Sequence, residues 1–150
     1  MKRSSRLSVA LHVLVHLAER PGALLTSEVL AVCAGTNPVV VRRTMAALRE
    51  AGLVASTRGP GGGLALARPA DTVTLADVHR ALGEVPAIAA GPPVESPGCL
   101  VEAAVADALD EARRKAEAFL ATELGRITLA TLAAGVRSRS HRSPEVGHVA

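Results

Sequence analysis

Aromatic side chains are almost absent from this sequence: Phe119 is the only one among 150 residues, and tryptophan and tyrosine are missing. Proteins that bind single-stranded nucleic acid commonly stack the bases on aromatic rings, so this class of ligand is a poor candidate. Apolar residues nevertheless make up 49% of the chain, which is enough for a packed core. That core must be built from alanine, valine and leucine, a composition that suits closely packed helices.

Cysteine is also scarce, and long apolar runs are missing. The two cysteines, Cys33 and Cys99, cannot form a disulfide framework. No apolar run reaches the ~18 residues that a membrane helix needs, and the chain does not begin with a signal-peptide pattern. We therefore predict a cytoplasmic protein. No nucleophile, base and orienting group can be assembled from the residue pattern, so an enzyme is not expected.

The net charge of +3 hides an uneven distribution. Residues 1–68 carry nine Lys/Arg against three Asp/Glu, whereas residues 69–150 carry eight against eleven. The first part therefore has a net charge of +6 and the second −3, which together give the +3 of the whole chain. A basic first half is the electrostatic pattern expected of a protein that binds nucleic acid.

The segment from Thr26 to Arg68 has the clearest structural signals. A short helix, capped by Thr26 or Ser27, is predicted to end near Gly35. Cys33 near its end is interpreted as a small core residue. A second helix and two short apolar runs follow. This order predicts a winged helix-turn-helix, a fold that is mostly α with a small β-wing.

Signals at both ends define the second helix. Asn37 can accept a hydrogen bond from an early helical amide, and Pro38 suits the first helical position. Gly52 can adopt the left-handed conformation that ends a helix, so we predict a recognition helix over residues 38–51. At 100° per residue, four of its residues share one face and should pack inward. These residues are Val41, Thr44, Met45 and Leu48.

The other faces of this helix are suited to base contacts. Exposed Val39 and Val40 can contact thymine methyl groups, and Arg43 can bind a guanine edge. Small Ala46 would let the helix lie deep in a groove. The alternative is an ordinary amphipathic helix whose arginines are solvated. The predicted DNA-binding residues of this region are Asn37, Pro38, Val39, Val40, Arg42, Arg43 and Arg49.

A wing is predicted over residues 53–68. Two strand candidates, Leu53–Thr57 and Leu64–Ala67, flank the segment Arg58–Gly63, in which four glycines and a proline disfavour regular helix. A tip with so few side chains can approach a phosphate backbone or a minor groove closely. A nucleotide-binding glycine loop is the rival interpretation, but no Lys-Ser/Thr pair follows these glycines. The predicted DNA contacts of the wing are Arg58, Gly61 and Gly62.

The first helix is predicted from about Arg6 to Glu19. Basic residues at and before its start are predicted to contact phosphates. They are Lys2, Arg3 and Arg6. His12 and His16 lie four residues apart on its outer face, where a metal site can be drawn. Because a third ligand is only a guess, we interpret them as solvated histidines and predict no metal site.

A long helix is predicted from about Cys99 to Leu124, which is long for a lone surface helix on so small a domain. Pairing its apolar stripe with the same helix of a second subunit would bury it, and a two-fold dimer would place two recognition helices on one face. Packing within one chain is the alternative. The predicted dimer-interface residues are Val101, Val105, Ala108, Ala112, Ala116, Phe119 and Leu120.

The remaining segments complete a division of the chain into four parts. Residues 1–83 form the winged helix-turn-helix. Its last helix starts at Thr74, and Asp77, three residues later, completes a capping-box-like pair with Thr74. Residues 84–98 are rich in proline and glycine and are predicted to be a loop or hinge. Residues 99–134 hold the dimerisation helix and one short helical turn, Thr128 to Leu132. The basic tail, 135–150, is predicted to be disordered.

Five short segments share a pattern with one known family. They are Ser5-Arg6-Leu7-Ser8-Val9-Ala10, Thr36-Asn37-Pro38-Val39-Val40-Val41-Arg42-Arg43, Gly61-Gly62-Gly63-Leu64-Ala65-Leu66-Ala67-Arg68-Pro69-Ala70, Thr74-Leu75-Ala76-Asp77-Val78 and Pro97-Gly98-Cys99. Together they resemble the Rrf-two family of bacterial transcription regulators over roughly residues 5–132, and the combination is more specific than any one piece.

The resemblance implies a homodimeric repressor that binds a palindromic promoter site in double-stranded DNA, with the long helices as its dimer interface. Several family members carry an iron–sulfur cluster on three closely spaced cysteines near the start of that helix. Only Cys99 occupies this region here, so the chain resembles the branch without cluster ligands, and no cofactor is expected.

Two alternatives stay open from the residues themselves. At the start of a long helix, the amides and the helix dipole favour a thiolate, which makes Cys99 a candidate redox sensor. The alternative is that Cys99 only packs against the loop. At the level of function, the alternative is a winged-helix protein-interaction module without sequence-specific DNA binding.

Overall fold

The computed structural model describes residues 6–83 and 98–142, which form six helices and one antiparallel two-stranded hairpin. The helices are α1 (Arg6–Glu19), α2 (Ser27–Cys33), α3 (Pro38–Glu50), α4 (Leu75–Leu82), α5 (Leu100–Gly125) and α6 (Leu129–Arg142). The strands are β1 (Val54–Thr57) and β2 (Gly63–Leu66). This is the predicted fold class, mostly helical with a small β-wing. Within the described ranges, no helix combines the length and the apolar character needed to cross a membrane.

Hydrophobic residues from α1, α2, α3, α4, α6 and both strands form one core. The inward stripe of α3 is buried as predicted: Val41, Thr44, Met45 and Leu48. α1 contributes a second row of buried side chains to this core: Val9, Ala10, Val13, Leu14 and Leu17. Leu129 at the start of α6 is fully buried in the same core. The winged helix-turn-helix and the C-terminal helix α6 therefore pack into the same hydrophobic core.

Side-chain caps set the starts of α2, α3 and α4. The Thr26 hydroxyl accepts a hydrogen bond from the Val29 amide at 3.4 Å before α2. Asn37 Oδ1 accepts one from the Val40 amide at 3.0 Å before α3. Before α4, Thr74 forms with Asp77 the predicted capping box, in which each side chain accepts from the other's backbone amide. Each cap satisfies an amide that has no partner within the helix.

The wing is joined to the segment that precedes α2. In the hairpin, Ser56 pairs with Leu64 and Thr57 with Gly63. Leu25 and Leu64 add a bridge on the other side of β2, through amide-to-carbonyl distances of 3.0 and 2.8 Å. A Cβ on Gly63 would lie only 2.8 Å from the Leu25 carbonyl oxygen. Glycine is therefore required there by the close approach of two backbones.

α6 is longer than the predicted helical turn and corrects the predicted disordered tail over its first part. It runs to Arg142, where a tail was expected from Gly135. The polar residues after Gly135 obscure the helix because they lack apolar periodicity, but no glycine or proline interrupts them before Pro144. Its start is tied to the chain before α4 by a 2.9 Å hydrogen bond from the Leu129 amide to the Val73 carbonyl. Residues 143–150, and residues 84–97 of the loop predicted over 84–98, lie outside the described residues.

Candidate nucleic-acid interface

The amino-terminal half of α3 presents side chains to solvent beside the wing. Val39 is 59% exposed, and Arg43 is also exposed. Among the described residues, Arg43 has no ion-pair or hydrogen-bond partner, so its guanidinium is available to a ligand. Val40 differs from the prediction: it is half-buried and packs against the core. It flanks the buried stripe next to Thr44.

Asn37 and Pro38 position α3 rather than project from it. The Asn37 side chain is engaged as the cap, and Pro38 is half-buried at the first helical position. At the other end, Gly52 has a φ of 70°, the left-handed conformation predicted for the residue that closes this helix. The local sequence thus determines where the exposed part of α3 begins and ends.

Arg42 forms an ion pair between α2 and α3. Its Nη1 donates a hydrogen bond to Glu28 Oε1 at 3.1 Å. Both side chains are exposed. The pKa of Glu28 lies below its ordinary value because its own backbone amide, and to a smaller extent the Arg42 guanidinium, stabilise the carboxylate. The sequence analysis did not identify this pair, since no local pattern connects two residues fourteen positions apart.

Arg49 lies about two helical turns after Arg42 and reaches the wing. Its Nη1 donates to the Ser56 hydroxyl at 3.4 Å, which connects α3 to β1. Between these elements lies a cleft of about 360 Å³. The lining residues are Ser27, Arg42, Met45, Ala46, Arg49, Ser56, Thr57, Gly63 and Leu64. The sequence analysis missed Ser27, Ser56 and Thr57, because only the packing of the wing against α3 brings them to this cleft.

The tip of the wing is exposed, with one glycine as an exception. Arg58 is exposed and makes no ion pair among the described residues, and exposed Gly61 has a φ of 73°. Gly62 is half-buried, and an added Cβ would contact the carbonyl oxygens of Thr57 and Gly59. Arg58 and Gly61 are thus accessible to DNA, whereas the fold of the hairpin itself requires glycine at 62.

The predicted sites on α1 fall into two groups. Arg6 is exposed at the first position of the helix, and Lys2 and Arg3 lie outside the described residues. His12 is exposed, and its Nδ1 lies 3.2 Å from the Ser8 carbonyl oxygen. Within residues 6–83 and 98–142, no group of three His, Cys, Asp or Glu side chains is arranged to hold a metal ion.

Both cysteines are exposed and free. For Cys33 this corrects the prediction of a core residue: Leu30 and Ala31 are the buried residues of α2, whereas Cys33, at the end of this seven-residue helix, is exposed. Cys99 is the N-cap residue of α5, where the Glu102 and then the Val101 backbone amides lower the pKa of its thiol. The thiol makes no capping hydrogen bond, so these amides act as oriented dipoles. A redox role for Cys99 stays a prediction.

α5 has no buried residue and carries the exposed apolar stripe that was assigned to a dimer. Phe119, the single aromatic residue, is 69% exposed. The other exposed members of the assigned stripe are Val101, Val105, Ala108, Ala112 and Ala116. Leu120 differs, since it is half-buried and lies at the edge of the stripe, towards the side of α5 that carries half-buried Leu124. In the described part of the chain, α5 packs on α4.

The sequence profile of the Rrf2 (Rrf-two) family, described as an iron-dependent transcriptional regulator, matches residues 3–135. The chain belongs to the Rrf2 family. YwnA of Bacillus subtilis, which carries the name of an HTH-type transcriptional regulator, is 33% identical to it over 123 residues. The alignment covers 81% of this chain and 89% of YwnA.

Solved structures share the fold of this Rrf2 chain. A protein from Lactobacillus plantarum, titled as a transcriptional regulator, aligns with a TM-score of 0.74 at 22% identity, over 90% of this chain and 91% of that one. CymR, titled the global cysteine regulator of Bacillus subtilis, aligns with a TM-score of 0.65 at 24% identity, over 89% and 97%. These likenesses establish the fold. The family establishes a DNA-binding transcription regulator.

Proposed function

We propose that this Rrf2 protein is a homodimeric repressor that binds a palindromic promoter site, with α3 in the major groove and the wing on the adjacent backbone. The observation that carries the proposal is the pairing of exposed Val39 and Arg43 on α3 with an exposed, glycine-rich wing tip. An apolar and a forked cationic side chain can contact a thymine methyl and a guanine edge. The net charge of +6 over residues 1–68 supplies attraction to phosphates.

The homodimer is supported by the apolar stripe of α5. A stripe of this length on a helix with no buried residue is unusual for an isolated chain, because apolar surface gains stability only when it leaves water. Two-fold pairing of α5 would cover the stripe and direct both α3 helices to one face, with half-sites roughly 34–36 Å apart.

Base recognition by Arg43 can be tested with DNA duplexes that the wild-type protein selects from a pool of random sequences. Arg43→Ala should weaken binding to the selected site by about 1–3 kcal/mol and change binding to random duplex much less. Arg58→Ala should weaken both alike. Arg126→Ala, which removes an exposed arginine paired with Glu123 at the end of α5, is the control. Equal losses on selected and random DNA for Arg43→Ala would contradict the assignment.

Duplex binding itself separates this function from a protein-interaction module. For a protein that neutralises several DNA phosphates, the logarithm of the binding constant should fall linearly with the logarithm of the salt concentration. No binding of any duplex at ~50 mM salt would favour the interaction module instead.

An iron–sulfur cluster does not fit the donor set, and we propose that none is bound. The family description mentions iron. The chain has two cysteines in all, Cys33 in α2 and Cys99 before α5, whereas cluster ligation normally takes four protein ligands, mostly thiolates. Protein purified without oxygen should therefore contain neither stoichiometric iron nor acid-labile sulfide, and finding both would overturn this proposal.

A further inference from the structure

The cleft between α3 and the wing combines an apolar floor with a cationic rim. Its α3 wall is one helical face, with residues at spacings of three and four. They are Arg42, Met45, Ala46 and Arg49. Met45 and Leu64 are buried and form the floor, whereas the exposed guanidinium groups of Arg42 and Arg49 lie above it.

Hydroxyl groups complete the rim. The Ser56 hydroxyl on β1 accepts the 3.4 Å hydrogen bond from Arg49, and Thr57 and Ser27 are further lining residues, from β1 and from the start of α2. Among the described residues, no carboxylate lines the cleft. Guanidinium and hydroxyl donors around an apolar surface match the two halves of a nucleic-acid backbone unit, an anionic phosphate and a largely apolar sugar edge.

We propose that this cleft is the seat of one sugar–phosphate segment of the DNA backbone, held by Arg42 and Arg49, and that Glu28 competes with that phosphate for Arg42. This inference rests on the proposed function and adds to it a contact site, a specific backbone segment and a competing carboxylate. The segment belongs to the strand that passes between the groove occupied by α3 and the wing.

The position of the cleft favours duplex DNA as the source of the phosphate. On α3, Ala46 forms the edge of the cleft nearest to Arg43, so a strand seated in the cleft lies directly beside the bases that Arg43 would contact. The Arg49 guanidinium is already oriented by its 3.4 Å hydrogen bond to Ser56. A preoriented donor loses little side-chain freedom when it binds.

Glu28 gives the seat an internal competitor. Its 3.1 Å ion pair with Arg42 joins side chains that are 66% and 55% exposed. An exposed pair of this kind contributes little, so a phosphate that Arg49 also binds can replace the carboxylate. In the DNA-free protein, the pair keeps Arg42 at the cleft but partly neutralised, which lowers affinity for every sequence alike.

The first experiment measures the salt dependence of the full-length protein on selected and random duplexes. Arg42→Gln/Arg49→Gln should weaken binding to both DNAs by a similar factor and reduce the salt slope by about one. The control Arg126→Gln should leave both quantities unchanged. Arg42 and Arg49 are exposed, and circular dichroism melting verifies that the double variant is folded. A folded double variant with the wild-type slope would overturn the seat.

The second experiment isolates Glu28. Glu28→Gln should tighten binding to both duplexes about two- to five-fold, the range of an exposed ion pair, and should have no effect when Arg42 is also glutamine. Glu50→Gln, which removes another exposed carboxylate of this region, controls for the general change in charge. An equal gain from Glu50→Gln, or a gain that persists without Arg42, would overturn the competition.

Two further outcomes are distinguishable. Saturable binding of deoxyribose 5-phosphate or inorganic phosphate to the DNA-free protein, together with an unchanged salt slope in the double variant, would assign the cleft to a small anion. If the wild-type protein binds no duplex, the proposed function fails and the seat fails with it. Wild-type binding with an unaltered slope in the double variant removes the seat alone.

Discussion

Asn37 holds the beginning of α3 through one side-chain contact, from the Val40 amide to its Oδ1. Asn37→Ala should lower the free energy of unfolding by about 1 kcal/mol, because that amide is left without a partner in the protein. For a chain of this size the melting temperature should fall by about 2–4 °C. Calorimetry checks this value, and Asn37→Asp, which retains an acceptor, serves as the control. Identical melting of Asn37→Ala and wild type would show that the cap is unimportant.

Gly62 tests the role of glycine in the wing. Its missing Cβ would lie 2.9 Å from the Gly59 carbonyl oxygen and closer still to that of Thr57. Both atoms belong to the backbone, so Gly62→Ala must distort the hairpin and should cost about 1–3 kcal/mol in urea unfolding. Gly125→Ala, where nothing lies within 4 Å of the added methyl group, should be neutral or stabilising. Equal stability of the two variants would contradict the contact.

At the scale of single residues, the sequence was informative wherever a signal is local. Asn37 was correctly predicted as a cap because a cap needs only the next three residues. Cys33 was wrongly placed in the core, since a helix of seven residues is too short for periodicity to define its inner face. The sequence explained the glycines of the wing only by a close approach of the tip to DNA, because it does not reveal which carbonyl groups surround Gly62.

The start of α4 gives an element-scale prediction about pH. Partial burial opposes ionisation of Asp77, but hydrogen bonds from Thr74 and the charges of Arg68 and Arg80 outweigh it and lower its pKa. A carboxyl group with a lower pKa in the folded chain stabilises the fold above its ordinary value of 3.8, and this stabilisation is lost as the pH falls through the folded value.

Asp77→Asn should therefore be less stable than wild type at pH 7, by about 1 kcal/mol, because the ionised acceptor of the capping box is lost. The difference should narrow as the pH falls below 3.8, where the unfolded wild-type chain takes up this proton, and then through the lower pKa of Asp77 in the folded chain. Thermal melts of both proteins from pH 7 to pH 3 measure it. A difference that stays constant with pH would show that the charge of Asp77 is not involved.

Helix lengths were predictable where capping residues or helix-breaking residues mark the ends, and they were not predictable where such signals are missing. α4 begins where its capping box predicts, and α1 matches its predicted bounds. α6 was underestimated because its second half is polar, with arginines and serines that carry no apolar signal. In the structure, Ser138 and Ser140 donate their hydroxyl hydrogens to the Gly135 and Val136 carbonyls, so their polar groups are satisfied within a helix.

At the scale of the whole molecule, the apolar stripe of α5 predicts the assembly. Ala112→Glu should dissociate the proposed dimer, because burial between two helices would desolvate an unpaired carboxylate. Sedimentation velocity should show a monomer, and binding to a two-half-site duplex should lose its cooperativity. Ala112 is exposed in the single chain, so this change should leave the fold intact.

Ala121 provides the matched control on the same helix. It is also exposed, and it lies on the opposite side of α5 from Ala112 at 100° per residue. Ala121→Glu should therefore remain a dimer. Dissociation of both variants would indicate a general effect of added negative charge, and a dimeric Ala112→Glu protein would refute the proposed interface.

Contacts between distant residues were the least predictable feature of the molecule. The cleft combines side chains of α2, α3 and both strands, and no single segment of the sequence contains its pattern. The burial of Leu129 could not be predicted for the same reason, because a short apolar turn after a long helix does not indicate which surface of the molecule it covers. Sequence periodicity identifies the faces of elements, whereas the pairing of faces depends on the complete packing.

The bridge between Leu25 and Leu64 has a consequence for how the molecule opens in solution. Two reciprocal hydrogen bonds join β2 to the chain before α2, so the base of the wing cannot separate from α2 without breaking them. These two amides should exchange with deuterium slowly and at similar rates, as members of one cooperative unit. The amides of Arg58 and Gly61 at the exposed tip should exchange much faster. The wing is thus a rigid base with a loose end, and only that end is free to adapt to the shape of the DNA.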